Sequence, residues 1–329
     1  MAKKQVLVGV DMDSASVRGI RLSFDPGSGK FPRPAWDALS TAEINGGNFL
    51  DDVQTVSALR NLRDSLGVRP SDKVSICLSG KQTYSVQMDA RKIPDEEMAG
   101  MLRLELRKSM PFDISEATFD YQVLPAESKP GGQADAGVSV MVSAVANSYL
   151  NRQVDIYGRA GLPPCHADLL PVSAANAFWS ACENDVGEEN AVLILHFGAD
   201  VCTLVIDGRH TPFFSRSFSF NMTKAADGRK ARGSDGDGDS MAADTSSLID
   251  VLAGEVTKSA TYYKNTHRAG DVSSIYALGA YASRSTLDEL AKITGCPARI
   301  VQTASLVKSA NPLEPGKYDL AIALAMQAA

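Results

Sequence analysis

Residues 5–24, QVLVGVDMDSASVRGIRLSF, decide the fold. Gln5–Val10 is a short apolar run, and Val17–Phe24 alternates and is rich in branched residues. The polar stretch Asp11-Met12-Asp13-Ser14-Ala15-Ser16 joins them. Two such runs around a brief polar segment read as a β-hairpin. The pattern returns later, with a strand over Val192–Phe197, a turn at Gly198-Ala199-Asp200 and a strand over Val201–Ile206. A hairpin turn at Asp207-Gly208 and a strand over Thr211–Phe218 follow. Such self-similarity marks a duplicated unit.

Outward from the first hairpin, residues 25–34 (DPGSGKFPRP) hold three prolines and two glycines and read as a loop. Its GSGK lacks the preceding strand, following helix and full spacing of a phosphate-binding P-loop. Trp36–Ile44 supplies a third strand. Val53, Val56, Leu59, Leu62 and Leu66 then fall at helical spacing over 51–66, with Gly67 as the stop. Lys73–Leu78 is a buried-type strand, so the unit runs β-β-β-α-β and ends at Gly80. A second rhythm follows: a strand over Thr83–Met88, a helix from Asp95 to Ser109 opened by Pro94, and strands over Ala117–Val123 and Val138–Ala146. A loop at 125–137 parts those two strands, and a helix over Asn147–Ala160 stops at Gly161. This is an inserted α+β subdomain.

Cys165–Leu170 is extended, Val172–Cys182 helical, and Glu183–Asn190 a charged linker to the second lobe. Residues 221–247 hold almost no large apolar side chains, and such composition predicts a disordered insertion. Helices over Leu248–Tyr263 and Thr286–Ile293, strands over Ser274–Leu278 and Ala298–Val301, and a last helix from Tyr318 complete the reading. The expected division is a first lobe over 1–82, the inserted subdomain over 83–160 and a return to the first lobe over 161–190. The second lobe follows over 191–310, and a closing helix over 311–329.

Composition narrows the function. The 329 residues are 44% hydrophobic and 22% charged, with a net charge of −6, which argues against a general nucleic-acid-binding face. Nothing approaches the ~20 uninterrupted apolar residues of a membrane span. The opening residues MAKKQ are too short and polar for a signal peptide. Five cysteines without CxxC spacing read as scattered thiols of a reducing cytosol, and Cys165-His166 lacks the further ligands a zinc site needs.

Duplicated β-β-β-α-β lobes, each opening on a polar turn, imply an α/β, actin-like, two-lobed (RNase H-like duplicated) fold with the α+β insertion. In that architecture the two turns face each other across a cleft, where exposed backbone N–H groups make a nest for phosphate and acidic residues hold Mg²⁺ through its waters.

Particular residues then resemble the PilM family of type IV pilus assembly. Val8-Gly9-Val10-Asp11 with Ser14-Ala15-Ser16-Val17-Arg18 is similar to its first phosphate turn, GIDIGSSSVK. Leu104-Glu105-Leu106, Met110-Pro111-Phe112-Asp113 and Phe119-Asp120-Tyr121-Gln122-Val123-Leu124 resemble its E…(I/M)PF…DYQVL pattern, the most specific part because it lies in the insertion. Ala160-Gly161-Leu162, Asp168, the Val172–Phe178 helix and Tyr318–Ala325 resemble its AGL…VD…ALANA segment and closing helix.

The resemblance implies a cleft holding ATP with Mg through Asp11 (also the metal residue), Asp13, Ser14, Ser16, Gly198, Glu255, Lys258 and Gly279. The departures weaken that expectation to weak binding or none, with little ATPase activity. Asp13 stands at a family glycine, His196 at the second turn's aspartate, and Leu278-Gly279-Ala280 keeps one glycine of a glycine-rich adenosine turn. Glu255 and Lys258 either reach a ribose or adenine edge or form a solvated i,i+3 pair. The resemblance further implies a cytoplasmic adaptor, peripheral to the inner membrane, that grips the N-terminal tail of a PilN-like single-pass membrane protein. Met98, Met101, Leu102 and Phe112 are candidates for the apolar wall of that groove, and Arg103, Arg107 and Lys108 for acidic tail residues. An active ATPase and an FtsA-like, self-associating filament former are the alternatives.

Overall fold

A computed structural model of the chain describes residues 5–24, 34–44, 52–124, 137–188, 190–222, 239–267, 270–308 and 316–327. The GSGK loop, residues 125–136 of the expected loop and residues 223–238 of the expected insertion lie outside them.

The first sheet holds β1 (Gln5–Met12), β2 (Ser16–Phe24), β3 (Ala35–Glu43), β4 (Lys73–Leu78) and β8 (Pro164–Leu169) in the order β3-β2-β1-β4-β8. The second holds β9 (Ala191–Phe197), β10 (Val201–Gly208), β11 (Thr211–Ser219), β12 (Val272–Leu278) and β13 (Ala298–Ile300) in the order β11-β10-β9-β12-β13. Both have an antiparallel hairpin half and a parallel half, so the strand orders superpose as copies. Each lobe is thus the same actin-like unit, as the sequence repeat implies.

Helix α1 (Asp52–Leu66) packs on one face of the first sheet through Val56, Leu59, Leu62 and Leu66, all buried. Burying each of these leucines contributes roughly 1.5–3 kcal/mol. Val53, expected on the same stripe, is instead 70% exposed, because the buried face has turned toward Thr55 and Ala58 at the helix start. Gly67 and Gly161 end α1 and α3 (Asn147–Arg159) at φ of +61° and +78°, conformations that glycine alone adopts without strain.

The inserted unit is a three-stranded antiparallel sheet, ordered β5 (Thr83–Ala90), β7 (Val138–Ala146), β6 (Ala117–Val123), covered by α2 (Asp95–Leu106). Asp95, Glu96 and Glu97 sit in the first turn of α2, where carboxylates complement the helix dipole. Helix α3 does not belong to this unit, contrary to the 83–160 boundary. Its Tyr149, Ile156 and Tyr157 are buried in the first-lobe core with α1, because its apolar face turns away from the small sheet. The insertion ends at the close of β7.

Helices α4 (Leu170–Cys182) and α7 (Asp319–Gln327) pack on one another between the two large sheets. Helix α7 covers β1 so closely that a Cβ on Gly9 would overlap the Ala321 carbonyl, and α4 covers β9 and β10. Residues 170–182 therefore bind the lobes together rather than simply returning to the first. On the far face of the second sheet lie α5 (Asp239–His267) and α6 (Arg284–Thr294). Helix α5 begins at Asp239, not Leu248, and Met222 is buried in the second-lobe core. Helical backbone thus begins inside the expected insertion at Asp239, and Met222 near its other end is buried.

Candidate functional site

The first turn owes its geometry to hairpin register. Asp11 on β1 lies directly opposite Arg18 on β2, and period-two alternation puts Asp13 and Ser16 near the same pair. Arg18 is fully buried. Its Nε and Nη2 donate to Asp11 Oδ2 at 2.9 and 2.7 Å, and its Nη1 donates to Asp13 Oδ2 at 2.9 Å and to Ser16 Oγ at 2.7 Å. Burial works against this cation, but Asp11 and Asp13 outweigh it and hold the guanidinium above its usual range. The other Asp13 oxygen, Oδ1, accepts from the backbone N–H groups of Ala15 at 2.9 Å and Ser16 at 3.0 Å.

The second turn faces the first. Ser14 Oγ donates to Asp200 Oδ2 across the lobes, and Asn221 Nδ2 donates to Asp200 Oδ1 at 3.2 Å. A Cβ on Gly198 would lie 3.8 Å from the Asp13 Cβ, so the turns meet there. Gly279, at φ +102°, packs against the strand that leads into the second turn, and a Cβ there would approach the Phe197 carbonyl to 2.5 Å. His196, buried behind this turn, finds no hydrogen-bond partner for either ring nitrogen. Burial pushes its pKa down, Asp11 and Asp13 oppose that, and Arg18 adds to it, so the ring is neutral at physiological pH. Tyr281, just after Gly279, lies in the electrostatic field of Asp13, Arg18, Asp200 and Glu43.

The cleft thus gathers Asp11, Asp13, Ser14, Ser16, Gly198 and Gly279. It does not gather Glu255 and Lys258 with them. Glu255 accepts from Arg216 of β11 at 2.5 Å and from Lys258 at 3.1 Å, so the pair is a helix-face ion pair tied to the sheet edge. No group of three or more His, Cys, Asp or Glu among the described residues is placed to hold a metal ion. Asp11, the expected metal residue, has Oδ2 already committed to Arg18.

The sequence reading missed four groups: Arg18 as the partner of both aspartates, Asp200 as the second turn's carboxylate, and Glu43 and Tyr281 at the rim. Arg18 was findable, since a hairpin register that pairs Met12 with Val17 sets it opposite Asp11. The other three depend on how the lobes meet, which no local pattern reports.

In the insertion, Met98 and Leu102 are buried under α2 in the subdomain core and cannot wall an open groove, because the small sheet takes that helix face. Met101 and Phe112 are partly buried at the edge of the same core. Arg103 lies 5.1 Å over the Phe119 ring and donates to the Ile114 carbonyl at 3.3 Å, whereas Arg107 is exposed at the end of α2. Lys108 pairs with Glu105 at 3.2 Å.

No helix among the described residues is long and apolar enough to cross a membrane. No curated protein sequence matches the chain significantly. A solved PilM-PilN type IV pilus biogenesis complex matches with a TM-score of 0.77 at 18% identity, over 98% of both chains, which shows the shared fold. A Bacteroides thetaiotaomicron protein with an actin-like ATPase fold is looser, with a TM-score of 0.48 at 12% identity over 97% and 95% of the two chains. The ethanolamine utilization protein EutJ of Carboxydothermus hydrogenoformans has the same score and identity, over 98% and 89%. The sequence profile of the family described as type IV pilus assembly protein PilM matches residues 9–228, which take in the first turn, the insertion and the second hairpin. The chain belongs to the PilM family of type IV pilus assembly proteins.

Proposed function

We propose that this chain is a cytoplasmic protein-binding adaptor of the pilus assembly apparatus, which holds the N-terminal tail of a PilN-like single-pass membrane protein beside the inserted subdomain. That partner recruits it to the inner membrane. The observation that carries this reading is the fold likeness to a PilM solved with PilN, which spans 98% of both chains and so includes the insertion. With Met98 and Leu102 taken up by the core, the apolar contacts fall to Met101 and Phe112, and the charge contacts to Arg103 and Arg107.

The cleft supports the non-enzymatic half of this reading. ATP with Mg, which the family resemblance implies, does not fit the first turn as folded. The N–H groups of Ala15 and Ser16 already hold Asp13, and Arg18 is shared between two aspartates. A phosphate brought within ~4 Å of an unneutralised carboxylate here meets about 4 kcal/mol of repulsion at an effective dielectric near 20. Asp200 sits opposite, hydrogen-bonded to Ser14.

The test is titration calorimetry of the full chain with the N-terminal tail peptide of a PilN-like single-pass membrane protein. Saturable binding that Arg107→Glu weakens about tenfold, a loss of about 1.4 kcal/mol, supports the reading. No binding, together with steady Mg·ATP turnover, overturns it.

A further inference from the structure

Asp13 closes an Asx-type turn on its own backbone and is also paired with a buried cation. One carboxylate oxygen takes two successive backbone N–H donors, Ala15 at 2.9 Å and Ser16 at 3.0 Å, and the other takes Arg18 Nη1 at 2.9 Å. Successive N–H groups converging on one point are the donor set that cradles phosphate oxygen, and a guanidinium alongside completes it. Every one of these donors is spent on a side chain of the turn itself. The Asp13 side chain is 10% exposed, so the carboxylate fills the space at the mouth of the turn rather than leaning into solvent. Its Cβ faces Gly198, which brings the second lobe against the same spot.

We propose that the Asp13 carboxylate is a built-in anion, which occupies the N–H nest of the first turn in place of an external oxyanion, and that its removal uncovers a latent phosphate site. This deepens the non-enzymatic reading of the cleft and rests on it. The exclusion of phosphate then comes from occupied donors, not from charge repulsion alone. The two causes separate experimentally, because asparagine keeps an acceptor oxygen for Ala15 and Ser16 while losing the charge. Alanine loses both. Arg18 stays anchored on Asp11 through Nε and Nη2 in either variant.

The experiment compares the wild type, Asp13→Asn and Asp13→Ala by thermal shift and ³¹P NMR line broadening. The probes are inorganic phosphate and Mg·ATP, at ionic strength matched with sodium chloride. Wild type and Asp13→Asn are expected to show no saturable response. Asp13→Ala is expected to bind at least about tenfold more tightly than either. A response to both probes assigns the latent site to a simple oxyanion, and a response to Mg·ATP alone assigns it to the phosphates of a nucleotide; each supports the proposal. Asp13→Asn gaining as much as Asp13→Ala overturns it, since repulsion would then be the barrier. So does a folded Asp13→Ala that binds neither probe. Asp13→Gly, which frees the same donors, serves if the alanine variant does not fold. In the wild type itself, amide NMR gives an independent arm: unmoved Ala15 and Ser16 resonances under phosphate support the proposal, and saturable movement overturns it. Tail binding is measured separately, so its loss condemns the adaptor reading without touching these outcomes.

Discussion

The two lobes repeat one strand order, yet they bury polar groups in opposite ways. The first lobe answers Asp11 and Asp13 with a fully buried cation, Arg18, and with backbone N–H groups. The second buries an imidazole, His196, with neither nitrogen partnered, and answers Asp207 with the neutral N–H of Trp179 at 2.7 Å and of Gly208. Duplication therefore conserves what the backbone needs and leaves the chemistry of each turn free to diverge. In the first turn the charges close among themselves, on Arg18 and on the backbone N–H groups of Ala15 and Ser16.

The largest test of this contrast is Arg18→Met. Removing the cation leaves two carboxylates in the interior, and breaking a buried pair costs about 3–5 kcal/mol. Urea denaturation is expected to show that loss, with partial recovery on adding Asp11→Asn. A loss below about 1 kcal/mol means that the first turn does not depend on its cation.

Asp207 sharpens the other side. Burial pushes its pKa up to about 6, with the Trp179 N–H pulling the other way. The folded protein then holds this proton more tightly than the unfolded chain. The contribution to stability is complete below about pH 4 and is lost as pH rises through about 6. Asp207→Asn is expected to flatten that slope and to gain about 2 kcal/mol at neutral pH, as read by denaturation across the range. An unchanged slope places the acid outside the coupling.

His196→Leu comes next. An apolar side chain of similar reach avoids two unpaired buried nitrogens, so a gain of about 1 kcal/mol is expected in thermal denaturation. A loss instead would mean that the ring makes contacts the first turn relies on. Lys258→Ala is the smallest, under about 0.5 kcal/mol by the same measurement, because the Glu255 pair is exposed on the lysine side.

Much of the architecture was legible from local pattern. The hairpins, α1 and the strands of the insertion follow from alternation, helical spacing and glycine stops, which act within a few residues. The strands over Ala117–Val123 and Val138–Ala146 stand where the pattern puts them. Misplacements arose where distant packing decides. Val53 fits the stripe by spacing but faces solvent, and Met98 and Leu102 are core because the small sheet is there to cover them. The site was half legible. Asp11, Asp13, Ser14 and Ser16 stand out as a polar break between strands, whereas Asp200 and Tyr281 become partners of that break only when the lobes meet.

The placement of α7 has a consequence for synthesis. Leu7, Ile20 and Leu22 are sealed by Ala321, Ile322 and Ala325, laid down some three hundred positions later. Until that segment leaves the ribosome, one greasy side of the nascent first sheet has nothing to shield it. Chaperone capture should therefore persist until residues 319–327 are made, and ribosome-stalled chains ending before residue 319 should be the aggregation-prone species.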